Sequence, residues 1–155
     1  FDVHHGNGTQ HLFEERDDVF FVSMHQDPRT CYPGTGYSDE RGKGAGTGYT
    51  LNVPVLAGTG DEEYLQIFYD QVLPNMEEYK PEFILVSAGF DAHSDDPLAS
   101  LNLTENAYMV LTSELKILAE RFAGGRIISM LEGGYDLNAL SSSVREHLNI
   151  LQSED

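Results

Sequence analysis

The segment Phe83-Ile84-Leu85-Val86-Ser87-Ala88 decides the fold that we predict for this chain. It is nearly all apolar, which is typical of a central strand in a parallel sheet that is buried on both faces. Pro81 ends the segment before it, and Gly89 opens a loop at its carboxyl end. Ligands of open parallel sheets bind beyond the carboxyl ends of the strands, so functional residues are expected in this loop.

Apolar and β-branched segments on either side of this strand predict three further strands, over residues 19–24, 49–53 and 126–131. Segments with helical spacing of apolar residues alternate with them and predict helices within 8–16 and over 61–73, 104–122 and 137–151. This alternation predicts an α/β fold with a mostly parallel β-sheet. The sequence has no internal repeat and no linker, which predicts one domain over residues 1–155.

The Gly- and Pro-rich residues 25–48 predict a long loop, and a loop of this length inside a domain is usually functional or disordered. Neither of the common glycine-rich phosphate-binding motifs occurs here between a strand and a helix, so we exclude nucleotide binding.

The composition is strongly acidic. The chain has 9 Lys and Arg residues and 26 Asp and Glu residues, which gives a formal net charge of −17. Such a surface repels phosphate backbones, so direct nucleic-acid binding is not expected. It could attract cationic peptides or amines, or serve solubility alone. The single cysteine, Cys31, excludes an internal disulfide and favours an intracellular location, in the cytoplasm or a nucleus. No apolar run is long enough to cross a bilayer, so no membrane partner is expected.

Asp2 and His4 form the first candidate metal site. Side chains two residues apart at the end of a strand point the same way, so a carboxylate and an imidazole would converge on one cation such as zinc. Asp91 follows the central strand and would supply a third ligand, which leaves one position open, as in catalytic zinc sites. Tyr135 follows a further strand and could donate a hydrogen bond to an oxyanion.

Other roles for these residues stay open at this point. Asp91 could cap the turn that begins at Gly89. Tyr135 could be a surface aromatic residue. His93 and Asp95 could recruit a second ion next to Asp91.

Four separated segments carry a resemblance to a known family: Asp2-Val3-His4-His5-Gly6-Asn7-Gly8-Thr9-Gln10, Ser87-Ala88-Gly89-Phe90-Asp91, Asp96-Pro97-Leu98 and Leu131-Glu132-Gly133-Gly134-Tyr135. They resemble the zinc-dependent histone deacetylases on their class II-like side, which include bacterial histone deacetylase-like amidohydrolases and acetylpolyamine amidohydrolases. The resemblance implies the C-terminal part of a three-layer arginase/deacetylase-like fold, with helices on both faces of the sheet.

The resemblance also implies the chemistry. Asp2, His4 and Asp91 would bind one zinc ion, and Tyr135 would polarise the amide carbonyl of an acetylated lysine in a peptide or protein, or of an acetylated polyamine. A structural potassium ion would be bound by Asp2, His4, Ser23 and Met24. A second monovalent ion would lie near Phe13, Arg16, Val19 and Tyr49.

Further residues would contact the substrate or support the centre. Tyr32 matches an aromatic wall of the acyl-lysine tunnel, and Leu98 matches a rim position where an acidic residue selects polyamines in some relatives. Gly89, Phe90 and Gly134 complete the implied substrate-binding set, and Asn7 would act behind the metal centre by orienting a catalytic histidine.

One departure concerns the general base. The family uses a tandem histidine pair in a Gly-His-His loop before the zinc motif, and this chain contains no such loop. The chain begins at Phe1 rather than at Met, so we expect a piece of a longer protein that is nearly inactive alone. Rival interpretations are a two-manganese ureohydrolase-like enzyme, which shares this fold type, and a domain that binds acyl-lysine without turnover. The sequence does not predict an oligomeric state.

Overall fold

The fold of residues 1–153, described by a computed structural model, consists of alternating helices and strands. In chain order these are α1 (Asn7–Phe13), β1 (Phe21–Gln26), β2 (Thr50–Val55), α2 (Asp61–Ile67), α3 (Leu73–Tyr79), β3 (Ile84–Ala88), α4 (Glu105–Ala123), β4 (Ile127–Leu131) and α5 (Leu137–Gln152). A short 3-10 turn covers Gly44–Gly46, and a π-helical turn, Phe68–Val72, joins α2 to α3. No helix within residues 1–153 is both long and apolar enough to cross a membrane.

The strands form two parallel pairs, β1 with β2 and β3 with β4. The first residues of the chain connect the two pairs. The backbone N–H of Gln26 donates to the carbonyl of Val3 over 2.9 Å, and the amine of Phe1 donates to the carbonyl of Ser87 over 3.1 Å. Residues 1–3 therefore lie between β1 and β3, and they bring the ends of both sheets to one place.

The hydrophobic core lies beneath this junction. Its largest fully buried side chains include Tyr64, Tyr108, Phe90, Leu103, Val3 and Val55. Helix α4 packs against β3, β4 and α5 and contributes Tyr108, Leu111 and Leu118 to the core. Thr104 caps its first turn by accepting a hydrogen bond from the N–H of Asn106, and Gly124 ends it in the left-handed conformation.

The structure corrects the predicted surroundings of the central strand. Burial along β3 alternates, with Ile84, Val86 and Ala88 buried and Leu85 and Ser87 exposed. The prediction that this strand is buried on both faces is therefore wrong for residues 1–153. The reason is that α4 covers one face, while the face with Leu85 is open among the described residues.

Two element boundaries also differ from the prediction. Strand β1 continues to Gln26, two residues beyond the predicted end, because His25 and Gln26 pair with Pro54 and Val55 of β2. The predicted helix over 61–73 is interrupted by the π-helical turn before Pro74. Proline has no N–H to donate to the carbonyl four residues earlier, which disrupts the α-helical hydrogen-bond ladder at this point.

Candidate metal centre

Asp2 and His4 converge at the junction between the two sheets. The Nδ1 atom of His4 lies 3.0 Å from the Oδ1 atom of Asp2, and the backbone N–H of His4 donates to the same oxygen over 2.7 Å. The second carboxylate oxygen of Asp2 accepts a hydrogen bond from the N–H of Gly133 over 3.1 Å. Asp2 and His4 lie outside the strands, so the prediction that they end a strand is wrong. A bend, held by the hydrogen bond from the N–H of His4 to Asp2, directs both side chains to one point instead.

Asp91 approaches the same point from the carboxyl end of β3. Its side chain is completely buried. One oxygen accepts the N–H of Val3 over 2.8 Å, and the other lies 3.0 Å from Nδ1 of His4. The open alternative was that Asp91 caps its own turn, but both of its oxygens face the segment that carries Asp2 and His4.

The three side chains form a cluster that fits zinc. One ligand atom from each of Asp2, His4 and Asp91 lies within 4.8 Å of the other two. Zinc binds nitrogen and carboxylate oxygen at about 2.0–2.2 Å in a tetrahedral arrangement, which places neighbouring ligand atoms about 3.3 Å apart. The two measured N–O distances of 3.0 Å are close to that separation. The donor atoms, one imidazole nitrogen and carboxylate oxygens, are also those that zinc accepts.

Two glycines allow the carboxylates to come this close. A Cβ atom on Gly89 would lie 2.2 Å from an oxygen of Asp2, and one on Gly133 would lie 2.0 Å from an oxygen of Asp91. Both distances are far below van der Waals contact, so any side chain at either position would displace a carboxylate. The cluster therefore requires glycine at both positions.

The cluster favours positive charge between its carboxylates. Hydrogen bonds to Asp2 and Asp91 raise the pKa of the His4 imidazole to about 10. Burial acts to raise the pKa of Asp2, but hydrogen bonds from the side chain and backbone of His4 and from Gly133 outweigh it and lower that pKa. A proton on His4 supplies the positive charge, and a divalent cation would supply it as well.

Tyr135 belongs to the loop that touches this cluster. The carbonyl of Gly133 in the same loop accepts the N–H of Phe90 over 2.8 Å. The side chain of Tyr135 is about half exposed, and its hydroxyl has no hydrogen-bond partner within residues 1–153. Partial burial and the negative charges of Asp91, Asp2 and Asp96 raise the pKa of this phenol. The hydroxyl therefore stays protonated at neutral pH and can donate a hydrogen bond.

The predicted substrate residues fall into two groups. Tyr32 and Leu98 are exposed, and the ring of Tyr32 lies 6.4 Å from that of His4, centre to centre. Phe90, in contrast, is 2% exposed, and its ring packs in the core 5.0 Å from that of Tyr108. Its position does not support direct substrate contact by the ring. A Cβ atom on Gly89 would overlap the carboxylate of Asp2, and substrate contact by Gly89 stays a prediction.

The remaining predicted residues surround the centre at different depths. Asn7 is exposed in the first turn of α1, where its N–H donates to the carbonyl of His5. Ser23 and Met24 are buried in β1, and the hydroxyl of Ser23 lies 2.9 Å from Nδ1 of His25. Potassium binding by Ser23 and Met24 with Asp2 and His4 stays a prediction. So does the second monovalent site near Phe13, Arg16, Val19 and Tyr49.

A second ion near His93 and Asp95 has less support. Asp95 is exposed, and its N–H donates to Nδ1 of His93 over 3.1 Å. Within residues 1–153, the only cluster of three or more potential metal-ligating groups is that of Asp2, His4 and Asp91.

Sequence reasoning missed two residues of the site. Gly133 contacts both carboxylates, whereas Gly134, which was predicted to bind substrate, meets Leu140 and Phe90. Asp96 is buried, and its carboxylate accepts the N–H of Tyr135 over 2.8 Å. Asp96 belongs to one of the four segments that carry the family resemblance, and this could have drawn attention to it. Its contact with Tyr135 could not be predicted from spacing, because the two residues are 39 positions apart.

Comparison with known proteins gives matches over nearly the whole chain. The histone deacetylase domain profile matches residues 1–151. Histone deacetylase 14, chloroplastic, from Arabidopsis thaliana is 49% identical over 155 residues, which are 100% of this chain and 36% of that protein. The histone deacetylase-like amidohydrolase of Pseudomonas aeruginosa is 45% identical over 137 residues, 87% of this chain and 35% of that protein.

The fold agrees as well. The crystal structure of the HDA15 HD domain superposes on this chain with a TM-score of 0.91 at 41% identity. The match covers 97% of this chain and 42% of the HDA15 chain. The chain thus has the arginase/deacetylase fold and spans 36% of the length of the Arabidopsis relative. On the evidence of its sequence, its fold and the cluster at its sheet junction, this chain belongs to the histone deacetylase family.

Proposed function

We propose that this chain contributes the metal centre of a zinc-dependent amidohydrolase that removes acetyl groups from the side-chain amine of lysine in peptides or proteins. The observation that carries the proposal is the convergence of Asp2, His4 and Asp91 at a sheet junction that also holds the loop of Tyr135. The family to which the chain belongs supports the reaction class.

Asp2, His4 and Asp91 would hold the zinc ion. When bound, zinc polarises a carbonyl and lowers the pKa of a bound water to about 7. Tyr135 would donate a hydrogen bond to the acetyl carbonyl oxygen as negative charge develops there, which is the usual way in which a fixed donor lowers such a barrier. Nδ1 of His4 lies 3.0 Å from one oxygen of each of Asp2 and Asp91, so the three atoms that would bind the ion face one point.

The tunnel residues favour acyl-lysine over polyamines. Tyr32 provides an aromatic surface beside His4, which suits the alkyl chain of a lysine. Leu98 is apolar and 60% exposed, so the rim carries no carboxylate at this position to bind a second amine of a polyamine. The net charge of −17 would favour the approach of basic peptides.

Proton transfer requires a general base, which the family places in a Gly-His-His loop that these 155 residues do not contain. The test therefore uses the longest natural polypeptide that includes this chain. We expect it to release acetate from a fluorogenic acetyl-lysine peptide, to lose this activity on chelation and to regain it with zinc.

The matched variant is Asp91→Ala, which removes one ligand. We expect loss of both zinc and activity, because removal of a buried ligand leaves the cluster incomplete. Deacetylation that survives chelation or this substitution would refute the zinc mechanism. Activation by two manganese ions per chain would instead support the ureohydrolase-like alternative.

A further inference from the structure

Asp96 is a buried carboxylate that connects the two loops facing the metal centre. It is 7% exposed. Its Oδ2 atom accepts the backbone N–H of Tyr135 over 2.8 Å, and its Oδ1 atom accepts the backbone N–H of Leu98 over 2.9 Å. The two oxygens thus join residue 98 in the loop after β3 to residue 135 in the loop after β4.

These two hydrogen bonds fix the residues from which exposed functional side chains emerge. The side chains of Leu98 and Tyr135 are 60% and 53% exposed, and the Tyr135 hydroxyl has no partner within residues 1–153. The position of the phenol therefore depends on how its backbone is held. Gly134, immediately before it, has a φ of 138°, a conformation that favours glycine, so no side chain of this residue helps to hold the loop.

The chemistry of Asp96 suits this task. Hydrogen bonds from backbone N–H groups to a carboxylate are shorter and stronger than those to neutral acceptors. Burial of a carboxylate is costly unless its oxygens are paired, so Asp96 strongly favours the arrangement in which both loops are in place. Its position is itself held, because the N–H of Asp96 donates to the carbonyl of His93 over 2.9 Å.

We propose that Asp96 is a positioning residue that sets the Tyr135 phenol relative to the Asp2, His4 and Asp91 centre and couples it to the tunnel rim at Leu98. This inference rests on the proposed function, because it assumes that Tyr135 acts on the substrate carbonyl. Asp96 is not part of the Asp2, His4 and Asp91 cluster and would act through the backbone N–H of Tyr135.

The test is a double-mutant cycle on the longest natural polypeptide that includes this chain, loaded with zinc. Asp96→Asn preserves the shape of the side chain but replaces one acceptor oxygen by an NH2 group. We expect kcat to fall by about 10- to 100-fold with little change in KM, since misplacement of a catalytic group by about 1 Å can cost 100-fold. The matched control is Asp70→Asn, an exposed carboxylate on the π-helical turn, which we expect to leave kcat unchanged.

The cycle is completed by Tyr135→Phe, which removes the hydroxyl. If Asp96 acts through Tyr135, Asp96→Asn causes no further loss in the Tyr135→Phe background, because the effects of coupled residues are not additive. A purely structural role would lower the residual rate of Tyr135→Phe by the same factor as in the wild type, and that result would overturn the proposal. Zinc content is expected to stay at the wild-type value in both variants.

Two further outcomes are distinguishable. A wild-type enzyme with zinc-dependent activity and an Asp96→Asn variant with unchanged kcat would overturn only the role of Asp96. A wild-type protein without zinc-dependent deacetylation would overturn the proposed function, and this inference with it. Should Asp96→Asn fail to fold, Asp96→Glu keeps the carboxylate but moves it by one methylene group, and it enters the same cycle with the same expected non-additivity.

Discussion

At the scale of single residues, the metal centre depends on close packing of like charges. Asp2 and Asp91 both face Nδ1 of His4, and Gly89 and Gly133 provide the space for them. Two carboxylates this close repel each other unless positive charge lies between them. The site therefore needs these two glycines as well as the three candidate ligands, because a side chain at either glycine would occupy the space of a carboxylate.

Gly133→Ala tests this packing. A Cβ atom at this position would overlap an oxygen of Asp91, so we expect zinc affinity to fall by at least tenfold, as when supporting residues of metal ligands are changed. Zinc affinity is measured by competition with a chromophoric chelator. The control is Gly8→Ala, where an added Cβ meets nothing within 4 Å and alanine favours the helix. Equal zinc affinities of both variants would contradict the packing argument.

The residues of the site were predictable to different degrees. Asp91 and Tyr135 could be found because parallel strands bring their carboxyl ends to one edge. Asp2 and His4 were found from their spacing of two residues, although they lie outside the strands. The role of Gly133 could not be found in this way, because it depends on the close approach of the Asp91 carboxylate, which comes from a distant part of the chain. The burial of Phe90 could not be predicted either, because sequence alone does not tell which way a residue next to Asp91 points.

At the scale of elements, His147 links helix α5 to its neighbours. Its Nδ1 atom lies 2.7 Å from the hydroxyl of Thr112 in α4, and its Nε2 atom lies 2.8 Å from the hydroxyl of Ser129 in β4. Burial lowers the pKa of this imidazole. The neutral form is therefore the one that the folded chain stabilises.

This arrangement predicts a pH dependence of stability. Because the pKa of His147 is lower in the folded than in the unfolded state, the unfolded state binds more protons as the pH falls. The contribution of neutral His147 to the free energy of unfolding is fully present above the ordinary pKa of about 6.5. It is lost as the pH falls below this value. We expect His147→Gln, which can still donate and accept hydrogen bonds, to lose less unfolding free energy than the wild type between pH 8 and pH 5. Urea titrations at both pH values measure this difference.

The control for this prediction is Asn149→Gln, which changes an exposed side chain without a titratable group on the same helix. It should lose as much stability as the wild type over the same pH range. If His147→Gln and the wild type had the same pH dependence, burial of this imidazole would not contribute to the pH dependence of stability.

The elements themselves were largely predictable, because strand and helix periodicities differ. All four predicted strands and the helices α4 and α5 are present within one or two residues of their predicted ends. The π-helical turn before Pro74 was not predicted, because the apolar spacing of residues 61–73 continues through it. The first residues were predicted to end a strand, whereas they lie outside the strands and connect the two strand pairs through hydrogen bonds of Val3 and Phe1.

At the scale of the whole molecule, the chain combines an acidic surface with an open apolar sheet face. Leu85 of β3 lies beside Ile128 of β4, and Ser87 beside Met130. Leu85, Ile128 and Met130 are 65%, 49% and 44% exposed. Apolar side chains that lie next to one another on a surface attract other apolar groups, unlike single exposed ones.

We expect this face to bind the dye ANS. The 155-residue chain should enhance ANS fluorescence, and the double variant Leu85→Lys/Met130→Lys should reduce the enhancement at least twofold, because it places charge in the apolar face. Leu12→Lys is the control, since Leu12 is 70% exposed on α1, outside this face. Equal dye binding by the double variant and the wild type would contradict the assignment of an apolar face.

The central claim is that one zinc ion binds between two carboxylates and one imidazole at the junction of the two sheets. Anomalous X-ray scattering at the zinc edge tests it most directly, on crystals of the longest natural polypeptide that includes this chain. We predict one peak, about 2.0–2.2 Å from Nδ1 of His4 and from a carboxylate oxygen of each of Asp2 and Asp91. A zinc-loaded crystal with no peak there, or with two metal peaks at this junction, would contradict the account.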